Sequence, residues 1–153
     1  MVIATVSTLN PLSVTLLVLY PVFDVAAAVV DARSAQGAKP YFGLYVNMAI
    51  SLLAGVGLAL AASSGIPGIL RVWGIWAAVS GLIQLVVGLV RRGLGGQWPM
   101  IVSGAISTVA GASFIVQAGQ PHASLTAVGG YAALGGVFFL VSAIRLGRVA
   151  TKD

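Results

Sequence analysis

Five long apolar stretches, residues 11–30, 41–62, 67–90, 98–118 and 125–146, take up most of this 153-residue chain. Each matches the ~20 residues that a helix needs to cross a hydrocarbon core of about 30 Å. None alternates polar and apolar residues as a barrel strand does, and each far exceeds the ~10 residues such a strand uses. Lipid offers no partner to a free backbone group, so an open sheet is excluded and the stretches are expected to be helices. The expected fold class is all-α: a polytopic transmembrane helical bundle with five full spans, forming a single transmembrane domain over residues 1–153.

The charge count agrees. Eight Lys and Arg and three Asp and Glu make up 7% of the chain, whereas a soluble domain clothes itself with roughly 25%. The partner of most of this surface is therefore expected to be the lipid bilayer. A net charge of +5 would suit nucleic acid only if the basic residues clustered on a water-facing surface. Here they fall between and after apolar runs, as topology signals do, and no nucleic-acid partner is expected. Cysteine is absent, which excludes a disulfide framework, thiolate metal sites and a thiol nucleophile.

The connections are short and rich in turn formers. Ser63-Ser-Gly-Ile-Pro67 reads as a tight turn with proline placed to open the next helix. Arg33, Lys39, Arg91, Arg92, Arg145, Arg148 and Lys152 all fall on one side of the five-span order, and Arg71 alone lies toward the other. The positive-inside rule makes the richer side cytoplasmic, which places the C-terminus inside. Trp73 and Trp76 toward the outside, with Tyr41, Phe42 and Trp98 inside, are expected to form interfacial belts.

The chain also repeats itself at an offset of 56 residues: Ala49-Ile-Ser-Leu-Leu-Ala-Gly55 matches Ala105-Ile-Ser-Thr-Val-Ala-Gly111 at five of seven positions, and Val72, Gly74 and Ala77 match Val128, Gly130 and Ala133. Each period contains two spans, so successive copies enter from the same membrane face and form parallel helical-hairpin repeats rather than inverted ones. The copies cover residues 1–34 (incomplete), 41–92 and 97–148. Pro11 aligns with Pro67 and Tyr20 with Trp76, which leaves residues 1–10 as the tail of a preceding helix. The expectation is a six-helix design with a truncated first helix. The alternative is a genuine five-span protein.

In these small-residue units, Ser103-Gly-Ala-Ile-Ser-Thr-Val-Ala-Gly111 and Trp76-Ala-Ala-Val-Ser-Gly-Leu-Ile-Gln-Leu-Val-Val-Gly88, and in Tyr20-Pro-Val-Phe-Asp24, the chain resembles the HdeD-like family of short-repeat bacterial membrane proteins. The resemblance covers essentially the whole chain apart from the short first helix, which departs from the family's six-span pattern. It implies an inner-membrane location and a role in acid or envelope stress tolerance. It carries over no catalytic residues.

Asp24 is the single acid well inside a span, where a carboxylate costs roughly 2.5–3.5 kcal/mol on insertion scales. Asn47 and Gln84 stand at similar depth and Ser103 close by, which predicts a polar layer with Asp24 hydrogen-bonded to Asn47 or Gln84. One reading is a proton- or solute-binding site in a small transporter or channel component. The other is that these groups join helices and fix register. Ser51, Gly55, Gly74 and Ala77, with their counterparts Ser107, Gly111, Gly130 and Ala133, make small-residue faces. Such faces suit close helix packing within one chain, or assembly with a second copy or another membrane protein as a structural subunit. The lone His122 in the fourth connection reads as a solvated loop residue. Gly93-Leu-Gly-Gly96 lacks the Lys-Ser/Thr ending of a phosphate loop, so neither an enzyme nor a cofactor or metal is expected.

Overall fold

The computed structural model describes residues 9, 11–34, 42–94 and 97–137. Residues 1–8, Lys39, Tyr41 and the far end of the fifth stretch, with Arg145, Arg148 and Lys152, lie outside the described residues. Helices occupy four of the apolar stretches: α1 (Pro11–Ser34), α2 (Phe42–Ala61), α3 (Gly65–Val90) and α4 (Trp98–Gln117). Residues 126–137 form a further helical segment, α5, at the end of the described chain, and no strand occurs among the described residues.

The turn between α2 and α3 shows how local chemistry places an element. Ala62–Ser64 tighten into a 3-10 turn, and Gly65 adopts φ 72° while its N–H bonds the Ala62 carbonyl. A side chain would be strained at that φ, whereas glycine is not. The helix starts at Gly65, two residues before the Pro67 that was expected to open it. Pro67 sits in the first turn, where its missing N–H has no intrahelical acceptor to lose.

Neighbouring helices run antiparallel. Gly55 lies against Val18, Pro21 and Val22, and Gly57 against Val72, while Gly74 and Gly88 lie against Gly111 and Ile101. The α3–α4 pair is the most intimate of these packings. An ideal Cβ on Gly74 would stand 2.7 Å from the Gly111 carbonyl, one on Gly81 2.6 Å from the Thr108 nitrogen, and one on Gly104 2.5 Å from the Leu85 nitrogen. These are backbone contacts, so no rotamer change could relieve a methyl group there. Gly74, Gly81 and Gly88 recur every seventh residue, the spacing that keeps one seam against a partner helix. Small residues on such a seam give close van der Waals packing where lipid provides no hydrophobic drive.

A dry core fills one end of the bundle, the end with the α2–α3 turn. Leu17, Leu58, Ile69, Leu70, Leu125 and Val128 are fully buried there, with Phe114 and Ala118 beside them. Trp73 (0% exposed) and Trp76 (6%) belong to the same cluster, which corrects the expectation that they lie in an outer interfacial belt. Their rings pack on each other at 5.4 Å and on Tyr20 at 5.4 and 5.9 Å. Burial wins because these indoles stand on the helix side that meets α1 and α2 rather than on the outer side. Phe42 and Trp98 are exposed.

The outer surface is apolar. The helical run Phe42–Val90, which contains α2, the 3-10 turn and α3, and the helix α4 are long and apolar enough to cross a membrane. The apolar helix Pro11–Ala26 within α1 is shorter. Only 28% and 22% of the most apolar windows of the two longer runs are buried inside the bundle, the reverse of what the core helix of a soluble protein shows.

Candidate functional site

Beyond the aromatic layer, away from the dry core, the bundle interior turns polar. Asp24 projects from α1, four residues after Tyr20. Facing it on α2 are Asn47 and Ser51, four residues apart and so on one side of that helix. Asn47 Nδ2 donates to Asp24 Oδ2 at 2.8 Å, and Ser51 Oγ donates to the same oxygen at 2.7 Å. Ser51 Oγ also accepts from the Trp76 indole, Nε1, at 3.0 Å. A hydroxyl has one proton and two lone pairs, so Ser51 fills both roles at once. Three helices are tied together through one carboxyl oxygen and the Ser51 hydroxyl.

A second polar pair lies across the same interior. Tyr131 of α5 donates its hydroxyl to Ser107 Oγ at 2.8 Å, and its ring packs edge-on against Phe114 at 5.7 Å. Gly135 lies against the Tyr20 hydroxyl, which occupies the place a Cβ would take. Between the two pairs is a cavity of about 270 Å³ whose wall includes Asp24, Asn47, Gln84 and Ser103, the four residues of the polar layer read from the sequence. Tyr20, Trp76, Ser80, Ser107 and Tyr131 line it as well. The cavity approaches the roughly 300–1,000 Å³ of small-molecule sites.

Several of its polar atoms are unused. Among the described residues, Asp24 Oδ1 has no hydrogen-bond partner and neither Lys nor Arg lines the cavity. Asn47 Oδ1 and Ser80 Oγ are buried with no partner among the described residues. Buried polar groups are normally paired, so these atoms suit a bound molecule. No three His, Cys, Asp or Glu side chains converge among the described residues, and Asp24 is the one Asp, Glu, Lys or Arg among the described residues of the wall.

The small residues singled out in the sequence have different surroundings. Ser51, Gly55, Gly74, Ala77, Ser107 and Gly111 are buried between helices. Gly130 and Ala133 are exposed, and a Cβ at Gly130 would meet nothing within 4 Å. Gln84 lines the cavity while Asn47 takes the bond to Asp24. Ser51, read from the sequence for packing alone, is also the hinge of the hydrogen-bond relay. Its four-residue spacing from Asn47 was the available signal. Tyr20 and Ser80 stand at the same four-residue spacing from Asp24 and Gln84, whereas only packing brings Tyr131 to the cavity. His122 and Arg71 are exposed and stand apart from the cavity.

Comparison with protein-family models, with curated proteins and with solved structures finds no match for this chain.

Proposed function

We propose that this chain is a multi-pass integral membrane protein whose interior holds a cation-binding site centred on Asp24. The observation that carries this reading is the Asp24 carboxyl on the wall of a 270 Å³ cavity, with one oxygen held by two donors and, among the described residues, no Lys or Arg beside it. An ionised carboxyl within a span is costly without a counter-charge, and a bound cation would supply one. The exposed apolar outer faces support a lipid surround. Arg91 and Arg92 close α3 at the cavity end, while the α2–α3 turn at the dry end carries neither Lys nor Arg. By the positive-inside rule, the cavity end is the cytoplasmic one.

The 56-residue repeat keeps its place in this reading. Asn47, Ser51 and Gly55 on α2 and Ser103, Ser107 and Gly111 on α4 form stripes of equal spacing, with Gly55 packed on α1 and Gly111 on α3. These stripes follow the internal repeat on which the resemblance to the HdeD-like short-repeat family rests. An internal cation site is one means by which such a protein would contribute to acid or envelope stress tolerance, and survival of a deletion strain at low pH addresses that role.

A second reading is favoured by the relay itself. Because Asp24, Ser51 and Trp76 join three helices, the carboxyl would serve only to hold them in register. Infrared difference spectra of the full chain in bilayers separate the two. Under the binding reading, a panel of sodium, potassium, ammonium and choline perturbs a carboxyl band that Asp24→Asn abolishes while the bundle stays folded. A band that no cation moves leaves Asp24 as a helix clamp.

A further inference from the structure

The chemistry of the cavity wall narrows the cation. The volume of about 270 Å³ is about nine times the roughly 30 Å³ share of one liquid water. A bare alkali ion would fill a small part of it. Tyr20, Trp76 and Tyr131 line the wall alongside the carboxyl, and Ile106 and Leu134 add apolar surface. Aromatic rings attract weakly hydrated organic cations, and several rings around one site are the usual means of recognising a quaternary ammonium group. Asn47 Oδ1 and the Oγ of Ser80, a residue only 7% exposed, remain as buried acceptors without partners among the described residues. They can accept a hydroxyl or an N–H from the ligand, although such oxygens also coordinate hard metal ions, so it is the volume and the rings that favour an organic cation.

We propose that the ligand is a small organic ammonium ion, its charge set against Asp24 and its alkyl groups against Tyr20, Trp76 and Tyr131. This inference rests on the reading of Asp24 as a cation site. The aromatic layer has a part in it that helix packing alone does not require: it closes the cavity on the side of the dry core. The two unpaired acceptors lie on the same wall as the carboxyl, so a ligand carrying both an ammonium group and a hydroxyl satisfies charge and hydrogen bonding together.

Choline and its neutral carbon isostere, 3,3-dimethylbutan-1-ol, provide the test, because they differ in charge and hardly in shape. Binding to the full chain is measured by calorimetry in dodecyl maltoside, a detergent without an ammonium group, with sodium chloride as a third arm. Choline is expected to bind roughly tenfold or more tightly than the isostere, and sodium not to compete. Trp76→Leu is expected to weaken choline roughly 3- to 30-fold, and Trp76→Phe, which also loses the bond to Ser51 but keeps a ring, much less. If Trp76→Leu fails to fold, the choline–isostere pair on the unaltered chain decides alone. Equal binding of choline and isostere overturns the proposal. If sodium moves the Asp24 band and choline does not, the organic ligand falls and the cation site stands. If no cation moves it, both fall. A short-chain phosphatidylcholine that displaces choline identifies a lipid headgroup as the source, and failure to displace it identifies the free ion.

Discussion

Ser51 on α2 donates its hydroxyl proton to Asp24 on α1 at 2.7 Å, and its remaining capacity accepts the indole N–H of Trp76 on α3 at 3.0 Å. Among the described residues, Ser107 on α4 accepts a single side-chain bond, from Tyr131. Interhelical hydrogen bonds in membranes average ~0.6 kcal/mol and reach ~1.7. Ser51→Ala breaks two and leaves a buried indole N–H unpaired, so its expected cost is about 1–3 kcal/mol. Ser107→Ala is expected to cost less. Unfolding in mixed micelles, followed by circular dichroism, gives the order, and the reverse order would count against the relay.

Glycine substitutions separate packed from open faces. A Cβ at Gly111 would collide with the Ala78 backbone nitrogen. Gly111→Ala is therefore expected to destabilise by about 1–3 kcal/mol, as overpacking does. At Gly130 there is nothing within 4 Å, so Gly130→Ala is expected to stabilise α5 by up to about 1 kcal/mol. The same unfolding assay reads both. Equal effects would remove the distinction between the two faces.

The three tryptophans differ in access. Trp98 is 74% exposed, Trp73 0% and Trp76 6%. In vesicles containing brominated lipid, quenching of indole fluorescence is expected to fall mainly on Trp98. Trp98→Phe should then leave emission that lipid hardly quenches. Strong residual quenching would show that the paired indoles face lipid after all.

Orientation can be read without background labelling, since the chain has no cysteine. Ser63→Cys lies in the α2–α3 turn and Arg92→Cys just after α3, both at exposed positions. A membrane-impermeant thiol reagent is expected to reach Ser63→Cys from outside intact cells and Arg92→Cys only after permeabilisation. Labelling of both from one side would exclude a membrane-crossing α3.

Much of the helix layout was legible in the chain. An apolar run of ~20 residues has little choice but a helix where backbone groups lack other partners, and α1 to α4 begin and end within a few residues of the runs that announce them. The polar layer was legible too, since counting residues along helices of known rise places Asp24 and Asn47 at one depth. The burial of Trp73 and Trp76 was not. Depth along a helix follows from counting, but azimuth, the side that meets a neighbour, depends on which helices pack together.

That division holds for the whole protein. The sequence by itself determined that the chain is helical, that charge is scarce, and that one carboxyl lies among polar side chains deep within apolar helices. These are properties of single segments, governed by hydropathy and backbone hydrogen bonding. The tertiary structure alone decided that Ser51 would bridge Asp24 to Trp76, that Gly81 and Gly104 would let α3 and α4 close up, and that Gly130 would stay uncovered. It also left Asn47 Oδ1 and Ser80 Oγ without partners among the described residues on the wall of one cavity. Those outcomes depend on contacts between residues distant in the chain, and interlocking shapes rather than local propensity select them.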